Sequence, residues 1–523
     1  MILIIYDPIR DEHIRMDKDI SRQFRDDLAF LCEYCKGGDA CTAIGIEDRS
    51  DHFVYHVAAN IDPANKILPF LESLLKKLQG MVAFPDAERY EGKEELTVWC
   101  IQYARPKLKK LRGILLGYIR RCQDRLKTYG SATDDELVDW LGQFENIDDG
   151  DDVTLCQLAY DVRNLDFMRQ LEQRSRNPTY NPSPSDRKTP SPFSDFRHYI
   201  GRLADHIRVP SRLIDSLSEV QHLISYFDVR AIPVSAPVPA PRADNLTTVD
   251  SICGRVFKKD DSNLPRLQAE LRQHEGLIGK LEDHYGKSNP RVHAEIQVAE
   301  HFYDGKLIWA EQDRYIGVSK PSCYGCQLYL KHHPANLEPR ECHMKAYRNW
   351  GPPLLERGQD DDGYAHQLGI LNAVIFDLRK DLIRQVLEQR AKHEWHADSH
   401  TAITSTVPDA ELALVQTLAL DPKNMVSSII IERDSFDSSD NGILGLNGSF
   451  PRLSSPETVR NFSSESTVDE DSRDDDSSDS EAGASLSVEE DSCYGPGPQR
   501  WLETSPEVEV ATARLAEFQI GVN

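Results

Sequence analysis

The chain has 523 residues and no apolar run near the length of about eighteen that would span a bilayer. A membrane-spanning helix is therefore not expected. Met1–Tyr6 (MILIIY) is apolar, but it is short and has no basic start, so it does not read as a secretory leader. An intracellular place, cytoplasmic or nuclear, is the expectation. Eleven cysteines, an odd number scattered from Cys32 to Cys493, argue for reduced thiols and against a disulfide framework. There is no Walker-type phosphate loop, no Rossmann glycine pattern and no G-x-S-x-G elbow. Hydrophobic residues make up 39%, below the usual share, so part of the chain is expected to lie outside any core.

Acidic residues outnumber basic ones, 86 against 61, and the formal net charge is −25. Between Glu465 and Asp491, twelve acidic residues stand against Arg473, which accounts for −11 and leaves −14 on the rest. An acidic body does not attract a polyanion over long range, so a nucleic-acid substrate would need a local basic patch. Residues 432–523 are rich in Ser, Asp and Glu with few large apolar groups. They read as a disordered acidic tail, because they cannot bury enough surface to offset the entropy of ordering.

What the chain does contain is a pair of chemically suggestive segments. One carries His293-Ala294-Glu295, the other Cys323-Tyr324-Gly325-Cys326, with 27 residues between Glu295 and Cys323. A catalytic zinc keeps three protein ligands and leaves one position to water, whose pKa it lowers toward neutrality. One imidazole and two thiolates offset the metal's charge, and a carboxylate near the metal but not bound to it can carry protons. Residues two apart do not share a face in mid-helix; at a helix N-terminus His293 and Glu295 can point into one cavity. Cys323 and Cys326 fall on one turn, and a helix beginning there favours the thiolate. Ser322 is the expected N-cap. Either motif alone arises by chance. Their joint presence in this order, with a β-like run Tyr315–Val318 before the cysteines, is a stronger signal.

This arrangement resembles the zinc-dependent cytidine-deaminase-like superfamily, with its H-x-E … P-C-x-x-C signature. The wording VHAEIQ … YIGVSKPSCYGC is similar to the Orientia-type nucleic acid/nucleotide deaminase family, common among uncharacterised fungal proteins. The resemblance implies that His293, Cys323 and Cys326 hold Zn2+ and that Glu295 is the catalytic proton shuttle. One departure is Ser322, which separates Pro321 from Cys323 where many members have proline directly before cysteine. The family also has a His-Lys-aromatic-Trp-Pro run after the cysteines, which His343, Lys345, Tyr347 and Trp350 resemble. This makes His343, Tyr347 and Trp350 candidate substrate-binding residues. The ordinary alternative is a core strand with a packed tryptophan. Asn60, at the end of a β-like run, is a further candidate by resemblance, although asparagine there commonly serves a turn. Cys342 is a spare ligand type, more commonly just a small buried thiol.

The implied fold is an α/β (α+β) three-layer cytidine-deaminase-like domain, discontinuous in sequence. Residues 20–60 supply a first helix (22–35) and a β-hairpin, Cys41–Ile46 and Phe53–Ala59. Residues 291–353 form the zinc-binding half. Residues 61–290 read as a mostly helical insertion with proline-rich linkers at 177–192 and 232–242. Within it, 63–80 (Asp62 as N-cap, Pro63 at the first helical position), 96–129, 134–176, 193–227 and 264–285 have helical patterning, with an acidic break at 145–152. A further helix is expected over 364–397. Arg105–Lys127 carries nine basic residues and Asp124 interleaved with leucines, the best phosphate-binding candidate, although such a helix commonly packs one face and solvates the other. Cys32, Cys35, Cys41 and His52 match no common zinc-module spacing and read as chance thiols.

The resulting expectation is a zinc-dependent deaminase hydrolysing the exocyclic amine of a nucleobase in a nucleoside, nucleotide or nucleic acid. The alternative is a catalytically inactive, zinc-structured scaffold that recruits protein partners through its acidic tail and helical insertion. A toxin-like effector domain is a third, weaker option.

Overall fold

The computed structural model describes residues 20–388, apart from 83–85, 132–133, 181–190, 240–242, 258–260, 274–275, 277–278, 280–288 and 348. The acidic tail 432–523, Met1–Tyr6, residues 389–397 and most of 273–285 therefore lie outside the described residues. So does most of the 177–192 stretch.

Alternating apolar residues build the sheet. Strands β1 (Thr42–Asp48) and β2 (Phe53–Ala59) form an antiparallel hairpin with Thr42 opposite Ala59. Ser50 takes a left-handed φ of 70° in the connection, and its N–H donates to Asp48 Oδ1 at 2.8 Å. Strand β3 (Phe227–Ala231) adds parallel to β2, and β4 (Gly317–Val318) adds antiparallel to β1. The result is a mixed four-stranded sheet of order β3-β2-β1-β4.

The helices in chain order are α1 (Ile20–Cys32), α2 (Ile67–Val82), α3 (Asp86–Tyr103), α4 (Arg105–Tyr129), α5 (Asp135–Gly142), α6 (Asp152–Val162) and α7 (Asp166–Arg176). They continue with α8 (Pro192–Asp215), α9 (Leu217–Ser225), α10 (Val249–Val256), α11 (Leu264–Arg272), α12 (Ala294–Asp304), α13 (Tyr324–His332) and α14 (Tyr364–Glu388). The pleat sorts them. Ile44, Ile46, Tyr55, Val57 and Ala59 face one side, where α1, α2 and α9 pack. Ala43 and Ala58 face the other, against Val298, Ala299 and Phe302 of α12. Close approach is required on both sides. A Cβ on Gly45 would lie 2.5 Å from the Phe302 ring, and one on Gly317 would lie 2.5 Å from the Arg25 backbone. Two-residue β4 is further held by polar bonds from α1: Asp26 accepts from Val318 N at 3.0 Å and from Tyr315 Oη at 2.7 Å.

A second apolar core lies among α4 to α8, around Leu108, Leu111, Leu115, Ile119 and Phe196. Helix α8 belongs to both cores: Phe193, Phe196 and Ile200 pack in the helical one, Val209, Leu213 and Ile214 against the sheet side. The 61–290 region also supplies β3, α2 and α9 to the sheet, which helical patterning alone does not reveal. The span 96–129 is two helices, because the Pro106 ring cannot follow a continuous helix and α3 stops at Tyr103.

Helix α14 covers α13. Ile370 and Val374 pack with Tyr324, Leu328 and Tyr329, while Leu382 and Val386 reach α10 and α11. Polar bonds fix its register. Asp377 accepts from Lys331 Nζ at 2.7 Å and from His332 Nε2 at 2.8 Å. Glu300 of α12 accepts from Tyr329 Oη at 2.5 Å and from His366 Nε2 at 3.0 Å, with His333 Nε2 at 3.4 Å. Burial raises the Glu300 pKa, but the hydrogen bonds from His333 and Tyr329 and the two imidazoles outweigh it and hold the carboxyl below its usual range.

Gly317→Ala is expected to lose about 1–3 kcal/mol of stability through overpacking, whereas Gly80→Ala, with nothing within 4 Å, should gain roughly 0.5–1 kcal/mol. Denaturant unfolding measures both. A carboxylate with a depressed folded-state pKa contributes stability above the unfolded value and loses it as pH falls through the folded one. Glu300→Gln should therefore cost about 1–3 kcal/mol at neutral pH and flatten the acid limb of stability against pH. An unchanged limb would refute this role.

Candidate metal centre

The imidazole and thiols are positioned by two helix beginnings. Arg291 runs beside residues 349–351, with Arg291 N donating to Asn349 O at 2.8 Å and Gly351 N to Arg291 O at 3.0 Å. His293 follows as the N-cap of α12, in extended backbone (φ −75°, ψ 153°). This turns its ring toward the same end of the helix as Glu295, which occupies the buried first turn. The other beginning is α13, whose N-cap is Cys323; Cys323 Sγ accepts from Cys326 N at 3.5 Å. Ser322 is thus not the cap. Its backbone is committed to the neighbouring segment, Ser322 N to Glu341 O at 2.9 Å and His343 N to Ser322 O at 3.1 Å, which places the turn one residue later.

His293 Nδ1 lies 3.5 Å from Cys323 Sγ and 3.4 Å from Cys326 Sγ, and the three donor atoms all lie within 4.8 Å of one another. Both cysteines are buried. Burial opposes the Cys323 thiolate, but bonding from Cys326 and the His293 charge win and bring its pKa down to about 6. His293 is raised in turn: burial lowers it, and the Cys323 charge and hydrogen bond more than compensate. Cys326 is pushed up by burial, by Cys323 and by Glu295, whose carboxylate is within hydrogen-bonding reach of the thiol. One imidazole nitrogen and two sulfurs converging in a buried site form a donor set that fits zinc with one position left for a non-protein ligand. Glu295 stands beside that set rather than in it.

The remaining candidates separate by role. Asn60 Oδ1 accepts from Ala294 N at 2.9 Å, and its Nδ2 donates to Gly38 O at 2.8 Å. It therefore ties the β2 end to the start of α12, a firmer task than a free turn. Tyr347 holds its ring 6.0 Å from His293 and 5.6 Å from His343. His343 Nδ1 accepts from Lys345 N at 3.1 Å and does not join the three donors. Trp350 donates its indole N–H to Cys326 Sγ at 3.2 Å. Among the described residues of 341–350 there is no core strand, only isolated bridges of Cys342 to Ser322 and Trp350 to Arg291. Cys342 Sγ accepts from Met344 N at 3.2 Å and lies outside the cluster. Cys32 and Cys35 pack in the sheet-side core, and His52 pairs with Asp51 at 2.7 Å, so they assemble no second centre.

Two features have no sequence signal. Cys41 lies close enough to Glu295 to feel its charge and is bonded by Ser319 Oγ at 3.5 Å; burial, opposed by the Lys320 charge and assisted by Glu295 and Glu33, pushes its thiol up to about 12. A cavity of about 230 Å³ opens among α1, α4, α8 and the β4–α13 loop. Its wall has five cations (Lys107, Arg202, Arg208, Arg212, Lys320) and five carboxylates (Asp26, Asp27, Glu33, Asp205, Glu341). Lys107 and Arg112 of α4 face inward, Lys107 to Glu33 at 3.2 Å and Arg112 to Asp148 O at 2.7 Å, so part of the basic helix is structural. Glu300, His333 and His366 are the other close gathering of metal-ligand types among the described residues. There His333 Nδ1 accepts from Ala335 N at 3.2 Å, which leaves the ring proton on Nε2 facing Glu300. That tautomer suits a hydrogen-bonded network and offers Nε2 no lone pair for a metal.

Among the described residues no helix is long and apolar enough to cross a membrane. No curated protein and no solved structure matches the chain. Residues 292–354 do match the family described as OTT_1508_deam-like deaminase. That span contains all three clustered donors and Glu295, which is consistent with a cytidine-deaminase-like family.

Proposed function

We propose that this chain is a zinc-dependent hydrolytic deaminase acting on the exocyclic amine of a nucleobase in a nucleoside, nucleotide or nucleic acid. The observation that carries this reading is the convergence of His293, Cys323 and Cys326 with Glu295 buried beside them and outside the donor set. We read 20–60 and 291–353 as one discontinuous, three-layer deaminase-like domain interrupted by 61–290. The pairing of β1 with β4 across the interruption supports that division.

When bound by His293, Cys323 and Cys326, zinc would supply Lewis acidity and lower the pKa of a water. The protein's own part is proton traffic. A Glu295 oxygen takes a proton as water oxygen adds to the amine-bearing carbon, and delivers it to the ring nitrogen. The second water proton, taken by the same carboxylate, goes to the amine. The C–N bond then breaks and ammonia leaves, while the ring carbon keeps the water oxygen as a carbonyl. Asn60 steadies the turn that carries Glu295. We assign base stacking to Tyr347, whose ring lies 6.0 Å from that of His293. Inward-facing Lys107 and Arg112 weaken the polymer case, which exposed Lys109, Lys110, Arg120 and Lys127 keep open. A purely structural metal would need no carboxylate beside it, so Glu295 favours the enzyme over the scaffold.

The purified chain is expected to carry one zinc and to release ammonia from a member of a nucleoside, nucleotide and oligonucleotide panel. Glu295→Gln should retain zinc and lose about 10²–10⁴-fold in rate. Zinc bound with no ammonia from any arm would favour the scaffold. Failure to bind zinc would remove the metal centre.

A further inference from the structure

We infer that Trp350 is a positioning residue that holds and tunes the metal through Cys326, rather than a platform for a base; this rests on the metal-centre reading above. Three observations converge on it. First, its indole N–H donates to Cys326 Sγ at 3.2 Å. Second, the indole lies on the turn between the cysteines, where a Cβ on Gly325 would sit 2.8 Å from Trp350 Cδ2. Residue 325 must lack a side chain for the ring to lie there. Third, the backbone on both sides of Trp350 is bonded to Arg291, two residues before His293. One side chain therefore spans the two chain segments that bring the donors together.

The chemical consequence follows from the donor. A thiolate gives part of its charge to a metal, and an N–H pointed at the sulfur draws part of that charge back. A metal held there would then keep more positive charge. Cys323 receives its N–H from the backbone of its own turn, at Cys326. The bond to Cys326 comes from a side chain, so it can be deleted without altering the turn. Burial makes the bond count, since water does not compete for the sulfur of a fully buried cysteine. Outer partners that orient a ligand typically govern about 10–100-fold of metal affinity.

The test compares wild type, Trp350→Phe and Trp350→Ala for zinc affinity, by competition with a chromophoric chelator, and for the sulfur-to-metal charge-transfer band of the cobalt(II)-loaded protein. Phenylalanine keeps a ring on Gly325 and loses the N–H. We expect Trp350→Phe to bind zinc about 10–100-fold more weakly and its cobalt band to move to longer wavelength, because an unbonded sulfur gives up charge more readily. An unshifted band with wild-type affinity in Trp350→Phe, even if Trp350→Ala is weakened, would reduce the tryptophan to packing and overturn the inference. Should either variant fail to fold, 15N-tryptophan NMR of the cadmium-113-loaded wild type decides. Coupling between one indole proton and the metal supports the bond, and six uncoupled indole protons overturn it. If wild type binds no metal, it is the metal-centre reading that fails.

Discussion

Two helices begin at the same place, and the site depends on that constraint. His293 and Cys323 are both N-caps, each in extended backbone immediately before its helix. An N-terminus leaves backbone N–H groups unpaired and carries partial positive charge. Two such ends facing one buried volume favour a thiolate where isolated burial would oppose it. That balance is visible in the cysteines. Cys323, capping its helix beside the imidazole, is shifted toward thiolate, while Cys326, further inside the turn, is held as thiol by burial and by its charged neighbours.

Holding the two ends together falls to the sheet and to polar bonds around it. Strand β4 delivers the chain to Cys323 but contributes only Gly317 and Val318 to the pairing. Apolar burial on two residues cannot define a register. Asp26 does so from α1, by accepting from Val318 N and Tyr315 Oη, and Arg340 joins it at 3.2 Å. Further along the same loop, Lys320 and Lys107 flank the buried Glu33 carboxylate at 2.9 and 3.2 Å. This triad links α4 of the helical region to the loop that precedes Cys323. Buried ion pairs add little net stability, but breaking one leaves an uncompensated charge, so they specify arrangement. The helical region is thereby registered to the half that carries the His293, Cys323 and Cys326 cluster by charge as well as by the shared helix α8.

Much of the local architecture was legible in the sequence. Alternation marks β2 with the same limits the structure shows, and leucine spacing marks α2 and α4. The H-x-E and C-x-x-C spacings identify the ligand types and their order. Other elements were not legible. Strand β3 has a short half-buried pattern that only its parallel pairing with β2 explains. The displacement of the N-cap from Ser322 to Cys323 depends on hydrogen bonds to residues 341–343. Trp350 and Asn60 carry no local mark of what they touch, since their partners lie 24 and 234 positions away.

The sequence by itself determined which atoms can bind a metal, because donor chemistry resides in residue type, and which segments are helix or strand, because periodicity reports a buried face. Only the tertiary structure decided that an imidazole and two sulfurs separated by about 30 residues share one buried point. It also decided that Asn60 braces a helix and that Trp350 serves a sulfur. Those outcomes rest on distances across the fold, and a one-dimensional pattern contains no term for such distances until close packing has chosen the neighbours.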